Sequence, residues 1–327
     1  MLKTKVLKML SEVNDFVSGQ QLCEELEVSR TAIWKVIKKL KEEGYQIASV
    51  SNKGYHLIST PNVLTKSEMA NHLHTTWVGK EIYSFQEIGS TNTVAKELGD
   101  QGKPHGTLVI AETQTNGKGR RGRNWESPLG SSISMSILIR PEILSEKASM
   151  LTLVMALAVH KGIKEITKAN LKIKWPNDIL LNNRKVAGIL TEMSAEPDMV
   201  HYVVIGVGIN VNMDSISKEQ APYASSLKAE TGQEFNRAEL IANISLWFET
   251  YYKLFLETQD LSIIKKEYNT YLINQDKNVC VMEKDKKIIG IAKGITDTGK
   301  LLIEREEGEL LEIYAGEVSV RGIYGYV

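Results

Sequence analysis

A glycine-rich cationic segment between two strand patterns constrains this chain most. Residues 117–123 contain four cationic side chains and three glycines, and Trp125 follows two positions later. The β-branched run 107–111 precedes the segment, and 133–139, which begins with alternating apolar and polar residues, follows it. Glycine permits close approach of the backbone, while arginine and lysine neutralise phosphate or carboxylate oxygens. The pattern predicts an anion-binding loop that joins two strands, and it favours phosphoryl or nucleotidyl transfer.

The same charges, taken alone, also suit a solvated basic turn or a nucleic-acid patch. The segment matches neither the G-x-x-x-x-G-K-[ST] pattern nor a G-x-G-x-x-G placed between a strand and a helix. The neighbouring strand patterns therefore decide in favour of a ligand loop.

Composition is typical of a soluble globular protein. The chain has 327 residues, 42% hydrophobic and 24% charged, with zero formal net charge, so any nucleic-acid contact needs a local basic patch. No secretory signal and no apolar run of about 18 residues occurs, so we expect a cytoplasmic protein without membrane contact. Cys23 and Cys280 lie far apart without metal-ligand spacing, so we expect neither a disulfide framework nor a protein-held metal.

Residues 1–60 have the pattern of a winged helix-turn-helix. A short helix fits 4–14, Ser18 begins a second helix with a capping box, and Ser29 begins a third with a basic outer face. A hairpin over 46–58 corresponds to the wing, although a small helical domain that binds only protein is the alternative. The predicted DNA contacts are Ser29, Arg30, Thr31, Trp34, Lys35 and Lys38 on the third helix and Lys53 on the wing.

Polar clusters also occur where central strands are predicted to end. A strand over 81–88 leads to Ser90 and Thr91 at a helix start, where free amides favour an anion, although plain capping is the simpler interpretation. An Asn-Asn-Arg turn would place Asp178 and Lys185 on one small sheet, although either could separately be an Asx-turn or a solvent-facing residue. We expect the glycines of the buried strand that ends at Asn210 to make room for ligand or backbone.

In order and spacing these motifs resemble those of the biotin protein ligases. The motifs concerned are 90–92, Gln114, 117–125, 174–178, 185–188 and 206–210. With an N-terminal winged helix and a C-terminal β module, the whole chain is similar to bifunctional members of this family that also repress the biotin operon. Lys118 departs from the family, which commonly has arginine there; it keeps the charge but loses the planar fork.

The resemblance implies an α+β protein of three domains. These are a winged helix-turn-helix over 1–60, a central mixed-sheet domain of the biotin/lipoate ligase type over 65–272, and an SH3-like β barrel over 275–327. It further implies that biotin and ATP, with Mg²⁺, form biotinyl-5'-AMP. The biotinyl group then passes to a lysine of a biotin carboxyl carrier protein, such as that of acetyl-CoA carboxylase. The adenylate is also expected to act as corepressor by driving a homodimer onto operator DNA.

The resemblance also assigns roles to residues of this chain. It implies that Arg120, Lys185 and Asp178 are catalytic. The implied biotin contacts are Ser90, Thr91, Asn92, Gln114, Lys118, Gly119, Arg120 and Lys185. The implied adenylate-loop and nucleotide residues are Gly117, Arg121, Arg123, Trp125, Asn177, Asn210 and Arg321. Three alternatives remain at this stage: a lipoate or octanoyl ligase, a ligand-sensing repressor without ligase activity, and a ligase without operator binding.

Overall fold

The chain divides into two compact units, Met1–Leu73 and His74–Val327. The structure, a computed structural model, describes residues 2–196, 198–217, 219–283, 286–306, 308–315 and 318–322, with only the backbone at 283, 286, 318, 319, 321 and 322. No helix within these ranges is long and apolar enough to cross a bilayer.

The first unit is the predicted winged helix-turn-helix. Its elements are α1 (Leu2–Ser11), α2 (Gly19–Leu26), α3 (Arg30–Glu42), β1 (Gln46–Val50), β2 (Gly54–Ser59) and α4 (Lys66–His72). The Ser18 and Ser29 side chains accept hydrogen bonds from the amides of Gln21 and Ala32, as predicted for N-caps. Ile33, Ile37 and Leu40 are buried, so the apolar stripe of α3 packs inward and leaves its basic face outward.

Helix α4 packs on this first unit. The Tyr45 hydroxyl donates a 2.6 Å hydrogen bond to Glu68, which is fully buried. Residues 65–73 thus group with the winged helix, whereas the sequence-based division assigned 65 onward to the central domain. The division into three domains itself stays a prediction.

The second unit contains two sheets. Its elements are β3 (Ile82–Ile88), α5 (Thr91–Asp100), β4 (Thr107–Gln114), β5 (Ser132–Ile139), α6 (Leu151–Thr167), β6 (Leu171–Lys174), β7 (Asp178–Leu181), β8 (Arg184–Glu196), β9 (Met199–Asn210), α7 (Leu227–Thr231), α8 (Arg237–Thr258), α9 (Lys265–Tyr271), β10 (Asn278–Glu283), β11 (Lys286–Ile295), β12 (Leu301–Glu304), β13 (Leu310–Ile313) and β14 (Val318–Gly322). A 3₁₀ turn, Ser145–Met150, precedes α6, which becomes α-helical at Leu151.

The larger sheet has the order β3-β4-β5-β9-β8-β7-β6. Strands β3 and β4 are parallel and the other neighbours are antiparallel, which confirms the mixed sheet. Helix α5 packs on one face, where Ala95 and Leu98 meet Val109, Leu138 and Val204. This packing fixes the first turn of α5 over the ends of the central strands.

The smaller sheet is antiparallel throughout, in the order β13-β12-β11-β10-β14. It forms the β module expected at the C-terminal end. The indole of Trp175 donates a 3.0 Å hydrogen bond to the carbonyl of Gly299. This contact ties the C-terminal module to the β6–β7 corner, which contains Asn177.

Candidate functional site

The candidate site lies on the sheet face where α5 begins. Ser136 of β5 is in register with Gly206 of β9, and Gly208 of β9 is in register with Gly188 of β8. A Cβ at Gly206 would lie 2.1 Å from Asn92 Oδ1, and one at Gly208 would lie 2.3 Å from the indole of Trp125. The glycines therefore make room for two side chains. Gly206 and Gly208 also line the cleft described next, and their making room for a ligand stays a prediction.

A cleft opens beside these glycines. Ten residues of the predicted site line it: Ser90, Thr91, Asn92, Gln114, Lys118, Gly119, Arg120, Trp125, Asn177 and Lys185. The sequence did not single out four further lining residues, Met135, Ile189, Leu190 and Val207. Asn92 lies against Gly206 and Lys185 lies against Gly188, which is in register with Gly208, so neutral polar side chains and the Lys185 cation line different ends of the cleft.

Four side chains, Thr91, Asn92, Gln114 and Ser136, form what we call the polar cluster. The amide of Thr91 donates a 2.7 Å hydrogen bond to Gln114 Oε1, and its hydroxyl lies 3.1 Å from the same atom. Ser136 Oγ lies 2.8 Å from Thr91 Oγ1 and 2.6 Å from Asn92 Oδ1. Ser90 is the N-cap residue of α5, as predicted, but its side chain makes no cap hydrogen bond. The cluster can satisfy the polar atoms of a compact buried ligand.

Arg120 connects three elements at the cationic end. Its guanidinium donates to Asn177 Oδ1 at 2.8 Å and to the carbonyl of Ala315 at 2.5 Å. Burial lowers the pKa of Arg120 from its ordinary value, and the charge of Asp178 partly opposes that shift. Arginine stays charged under these conditions, so Arg120 presents a partly desolvated cation to the cleft.

Lys185 and Asp178 meet because β7 and β8 form a tight hairpin. The two turn residues, Asn182 and Asn183, have φ of 49° and 65°, which suits a type I′ turn. Lys185 Nζ lies 2.7 Å from Asp178 Oδ1 and 5.6 Å from the ring centroid of Trp125. The two residues share one sheet as predicted, but it is the larger, seven-stranded sheet and not a small one. Lys185 lines the cleft, and Asp178, which does not, lies beside it in this ion pair.

The glycine-rich loop, residues 115–131, joins β4 to β5 as predicted. Its segment 117–125 closes on itself, since the amide of Gly119 donates to the carbonyl of Arg123 and the amide of Trp125 donates to the carbonyl of Gly117. A Cβ at Gly117 would lie 2.4 Å from the Trp125 carbonyl oxygen, so this close approach requires glycine. Arg121, at a φ of 59°, is exposed to solvent.

Some predicted site residues lie outside the cleft lining. Gly117, Arg121 and Arg123 belong to the loop but do not line the cleft, and Asp178 reaches it only through its pair with Lys185. Asn210 is buried and donates its amide to the carbonyl of Ser225 at 3.0 Å, a contact that ties the end of β9 to the segment before α7. Arg321 has its backbone in β14, opposite Cys280, and its side chain is outside the described residues.

Sequence reasoning missed two charged groups near the site. Glu192 accepts hydrogen bonds from Asn92 Nδ2 at 2.7 Å and from Lys96 Nζ at 2.6 Å. Arg237, fully buried, pairs with Glu112 at 2.7 Å and also donates to the carbonyl of Ser132, so it joins both strands that carry the glycine-rich loop. Glu192 could have been noticed in the sequence, because it is a charged residue within the apolar pattern of the β8 strand.

The predicted DNA-contact residues form an outward face of the first unit. Arg30, Thr31, Trp34, Lys35 and Lys38 are exposed on α3, and Lys53 is exposed at the tip of the wing. Trp34 is 55% exposed, and Lys38 Nζ lies 5.6 Å from its ring centroid. The Ser29 hydroxyl is occupied as the N-cap of α3. A cationic helix face with an exposed aromatic ring suits contact with DNA phosphates and base edges.

Three family models match successive parts of the chain. An HTH domain matches residues 3–56, the Biotin/lipoate A/B protein ligase family matches 84–210, and the Biotin protein ligase C terminal domain matches 276–321. Relatives also match along nearly the full length. The Bifunctional ligase/repressor BirA of Bacillus subtilis is 39% identical over 98% of this chain and 98% of its own. The Bifunctional ligase/repressor BirA of Escherichia coli is 31% identical over 97% of this chain and 96% of its own.

A solved structure extends the likeness to three dimensions. It is the biotin protein ligase from Aquifex aeolicus in complex with biotin and ATP, with a TM-score of 0.66 and 31% identity. The match covers 74% of this chain and 99% of that one.

Proposed function

Since the chain belongs to the biotin protein ligase family, among its bifunctional ligase/repressor members, we propose that it activates biotin with ATP in the cleft described above. The observation that carries this assignment is the pairing of a neutral polar cluster with Arg120 and Lys185 across one cleft. Such a cleft suits a ligand with an uncharged polar ring at one end and a carboxylate at the other. Biotin has that shape and chemistry.

In the first step a biotin carboxylate oxygen attacks the α-phosphorus of ATP, and pyrophosphate leaves with its bonding electrons. Two anions must approach, so their charges must be offset and their atoms aligned. Arg120 and Lys185 line the cleft and supply positive charge for this purpose. Their loss would raise the barrier to adenylate formation more than it would weaken binding of biotin.

The nucleotide enters as its Mg²⁺ complex. No group of three or more His, Cys, Asp or Glu side chains arranged to hold a metal occurs within the described ranges. We therefore assign the metal to the substrate, where it would offset charge on the phosphates. Trp125, which lies against Lys185 and Gly208, is the candidate to pack against the adenylate.

In the second step the Nζ of a carrier-protein lysine attacks the acyl carbon of the adenylate, and AMP leaves. The attacking amine must first lose a proton. Asp178 is the carboxylate that lies beside Lys185 at the cleft, and we assign it to orient or deprotonate the acceptor lysine. We assign a biotin carboxyl carrier protein as the acceptor. After the carrier is incubated with this enzyme, biotin and ATP, mass spectrometry should find one biotinylated lysine in the carrier.

The regulatory half of the proposal concerns the first unit. A helix-turn-helix protein commonly binds DNA as a dimer, with two reading helices across a two-fold axis. We infer that the adenylate orders the glycine-rich loop, and that the ordered loop favours a homodimer which represses from operator DNA. The adenylate then acts as corepressor because it binds one state better than the other. The exposed basic face of α3 supports the DNA contact.

Two measurements test this half. Analytical ultracentrifugation with and without biotinyl-5'-AMP should show tighter self-association in its presence, and an unchanged association constant would end the corepressor proposal. A gel shift with DNA from upstream of biotin genes, at stated salt concentration, should show adenylate-dependent binding. If the DNA does not shift while biotinylation of the carrier proceeds, the chain is a ligase without operator binding.

A further inference from the structure

The Asn92 side chain has one permitted orientation in the polar cluster. Its Nδ2 lies 2.7 Å from Glu192 Oε2 and 3.3 Å from the carbonyl oxygen of Leu190. Both neighbours only accept hydrogen bonds, so the amide nitrogen must face them. The amide oxygen therefore faces Ser136, whose Oγ lies 2.6 Å away.

Glu192 stays an acceptor because it is ionised. Burial by itself would raise the pKa of Glu192, but the hydrogen bonds from Lys96 and Asn92 bring it below its usual value. Lys96 Nζ lies 2.6 Å from the second carboxylate oxygen. One oxygen of the Glu192 carboxylate thus accepts a hydrogen bond from the Asn92 nitrogen, and the other oxygen pairs with Lys96.

The Gln114 side chain is oriented by a donor instead. The Thr91 backbone amide lies 2.7 Å from Gln114 Oε1, and a backbone N–H only donates. The oxygen of Gln114 must therefore face Thr91, and its nitrogen faces away. Both ends of the polar cluster thus present amide oxygens toward the two hydroxyls between them.

This arrangement leaves the polar cluster one proton short. Three oxygen–oxygen contacts run in series from Asn92 through Ser136 and Thr91 to Gln114, at 2.6, 2.8 and 3.1 Å. Each contact needs one proton, and the two hydroxyls together supply only two. The buried cluster therefore has acceptor capacity that its own donors do not fill, which a ligand N–H would supply.

We propose that Glu192 is a positioning residue that makes the polar cluster an acceptor site for the N–H groups of the ligand. Without the carboxylate, the Asn92 amide could turn over and donate to Ser136, and the series would then contain a proton for every contact. The cluster would lose its demand for an external donor. The inference rests on the proposed function, in which the ureido ring of biotin carries two such N–H groups.

The test compares biotin binding by isothermal titration in the full chain and four variants. Glu192→Gln should weaken biotin binding by about tenfold or more, since it removes a charge-assisted hydrogen bond within the site. The matched control, Glu196→Gln, makes the same exchange at an exposed glutamate of the same strand and should change the dissociation constant less than threefold, about 0.6 kcal/mol. In an Asn92→Ala background, Glu192→Gln should add less than a twofold loss, because Glu192 acts through Asn92.

A ligand series tests the same point without any substitution. A biotin analogue with one ring N–H replaced by oxygen, a cyclic carbamate, should bind the unmodified protein about 100-fold or more weakly, since the site would face it with acceptors. This loss should shrink in Glu192→Gln. The KM for ATP should stay within about twofold in that variant, whereas general disorder of the site would raise it.

Four results would overturn the inference: unchanged biotin affinity in Glu192→Gln, an equal loss in Glu196→Gln, a full additional loss in the Asn92→Ala background, or equal affinity for biotin and the carbamate. The proposed function fails separately, and only if the unmodified protein neither binds biotin nor exchanges pyrophosphate into ATP when biotin is present.

Discussion

Lys185 Nζ, which belongs to the cleft lining, and Asp178 Oδ1 lie 2.7 Å apart on adjacent strands joined by a two-residue turn. The pair sets a cation for the first step beside a carboxylate for the second. Each charge also reduces the cost of partly burying the other. We therefore expect substitutions at the two positions to affect different steps of the reaction.

Asp178→Ala should slow the transfer of biotin from preformed biotinyl-5'-AMP to the carrier lysine by about 100-fold or more, the usual contribution of a general base. Single-turnover transfer, followed by mass spectrometry of the carrier, measures this step alone. Asp276→Ala is the matched control, since Asp276 pairs with Lys293 at 2.9 Å in the C-terminal module. Wild-type transfer by Asp178→Ala would remove the carboxylate from the mechanism.

Arg120→Gly should release the adenylate faster, because it removes the hydrogen bonds from the loop to Asn177 and Ala315 together with a buried charge. Loss of a charge-assisted hydrogen bond corresponds to about 10- to 100-fold in dissociation. A filter assay of retained labelled adenylate measures the rate. Arg305→Gly, at an arginine 55% exposed, is the control, and undiminished retention in Arg120→Gly would contradict the prediction.

Biotin and ATP together should protect the glycine-rich loop from trypsin. An acyl adenylate hydrolyses when water reaches it, so a loop that closes over it should become less accessible to protease. Lys118, Arg120, Arg121 and Arg123 supply the cleavage sites. Limited proteolysis with fragment mass analysis gives the rates, and equal cleavage with and without ligands would argue against closure.

The second unit should lose stability in mild acid through His160. Burial lowers the pKa of His160 from 6.5 to about 4, and its ring stacks on Tyr271 at 3.8 Å. Below pH 6.5 the unfolded chain takes up this proton while the folded chain does not, so stability present above pH 6.5 is lost as pH falls toward 4. The loss should reach about 3 kcal/mol. Urea unfolding from pH 7 to 4 should show a flatter profile for His160→Gln, and parallel profiles would contradict this account.

Much of the fold follows from local sequence signals. Ser18 and Ser29 cap helices because each reaches an amide three residues on, an interaction encoded within one turn. The Asn182 and Asn183 turn sets the β7–β8 register and so brings Asp178 to Lys185. Each of these arrangements depends on residues close together in the chain, which is why sequence patterns predict them.

Other parts of the site depend on pairings between distant positions. Asn92 and Glu192 are separated by 100 residues, and Glu112 and Arg237 by 125. No periodicity or spacing marks such a pair until the sheet brings the strands together. A residue in a recognisable motif can also have a structural contact. The motif around Asn210 predicted a ligand contact, but the Asn210 side-chain amide donates a hydrogen bond to the carbonyl of Ser225. Buried polar residues must find partners, and the nearest backbone can supply one.

Biotin-dependent exchange of labelled pyrophosphate into ATP tests the central claim most directly, because it reports substrate and first chemical step together. We predict that label enters ATP only when biotin is added, and that octanoate or lipoate cannot replace it. Exchange supported by those acids, or no exchange with biotin, would contradict the assignment of this cleft to biotin adenylation.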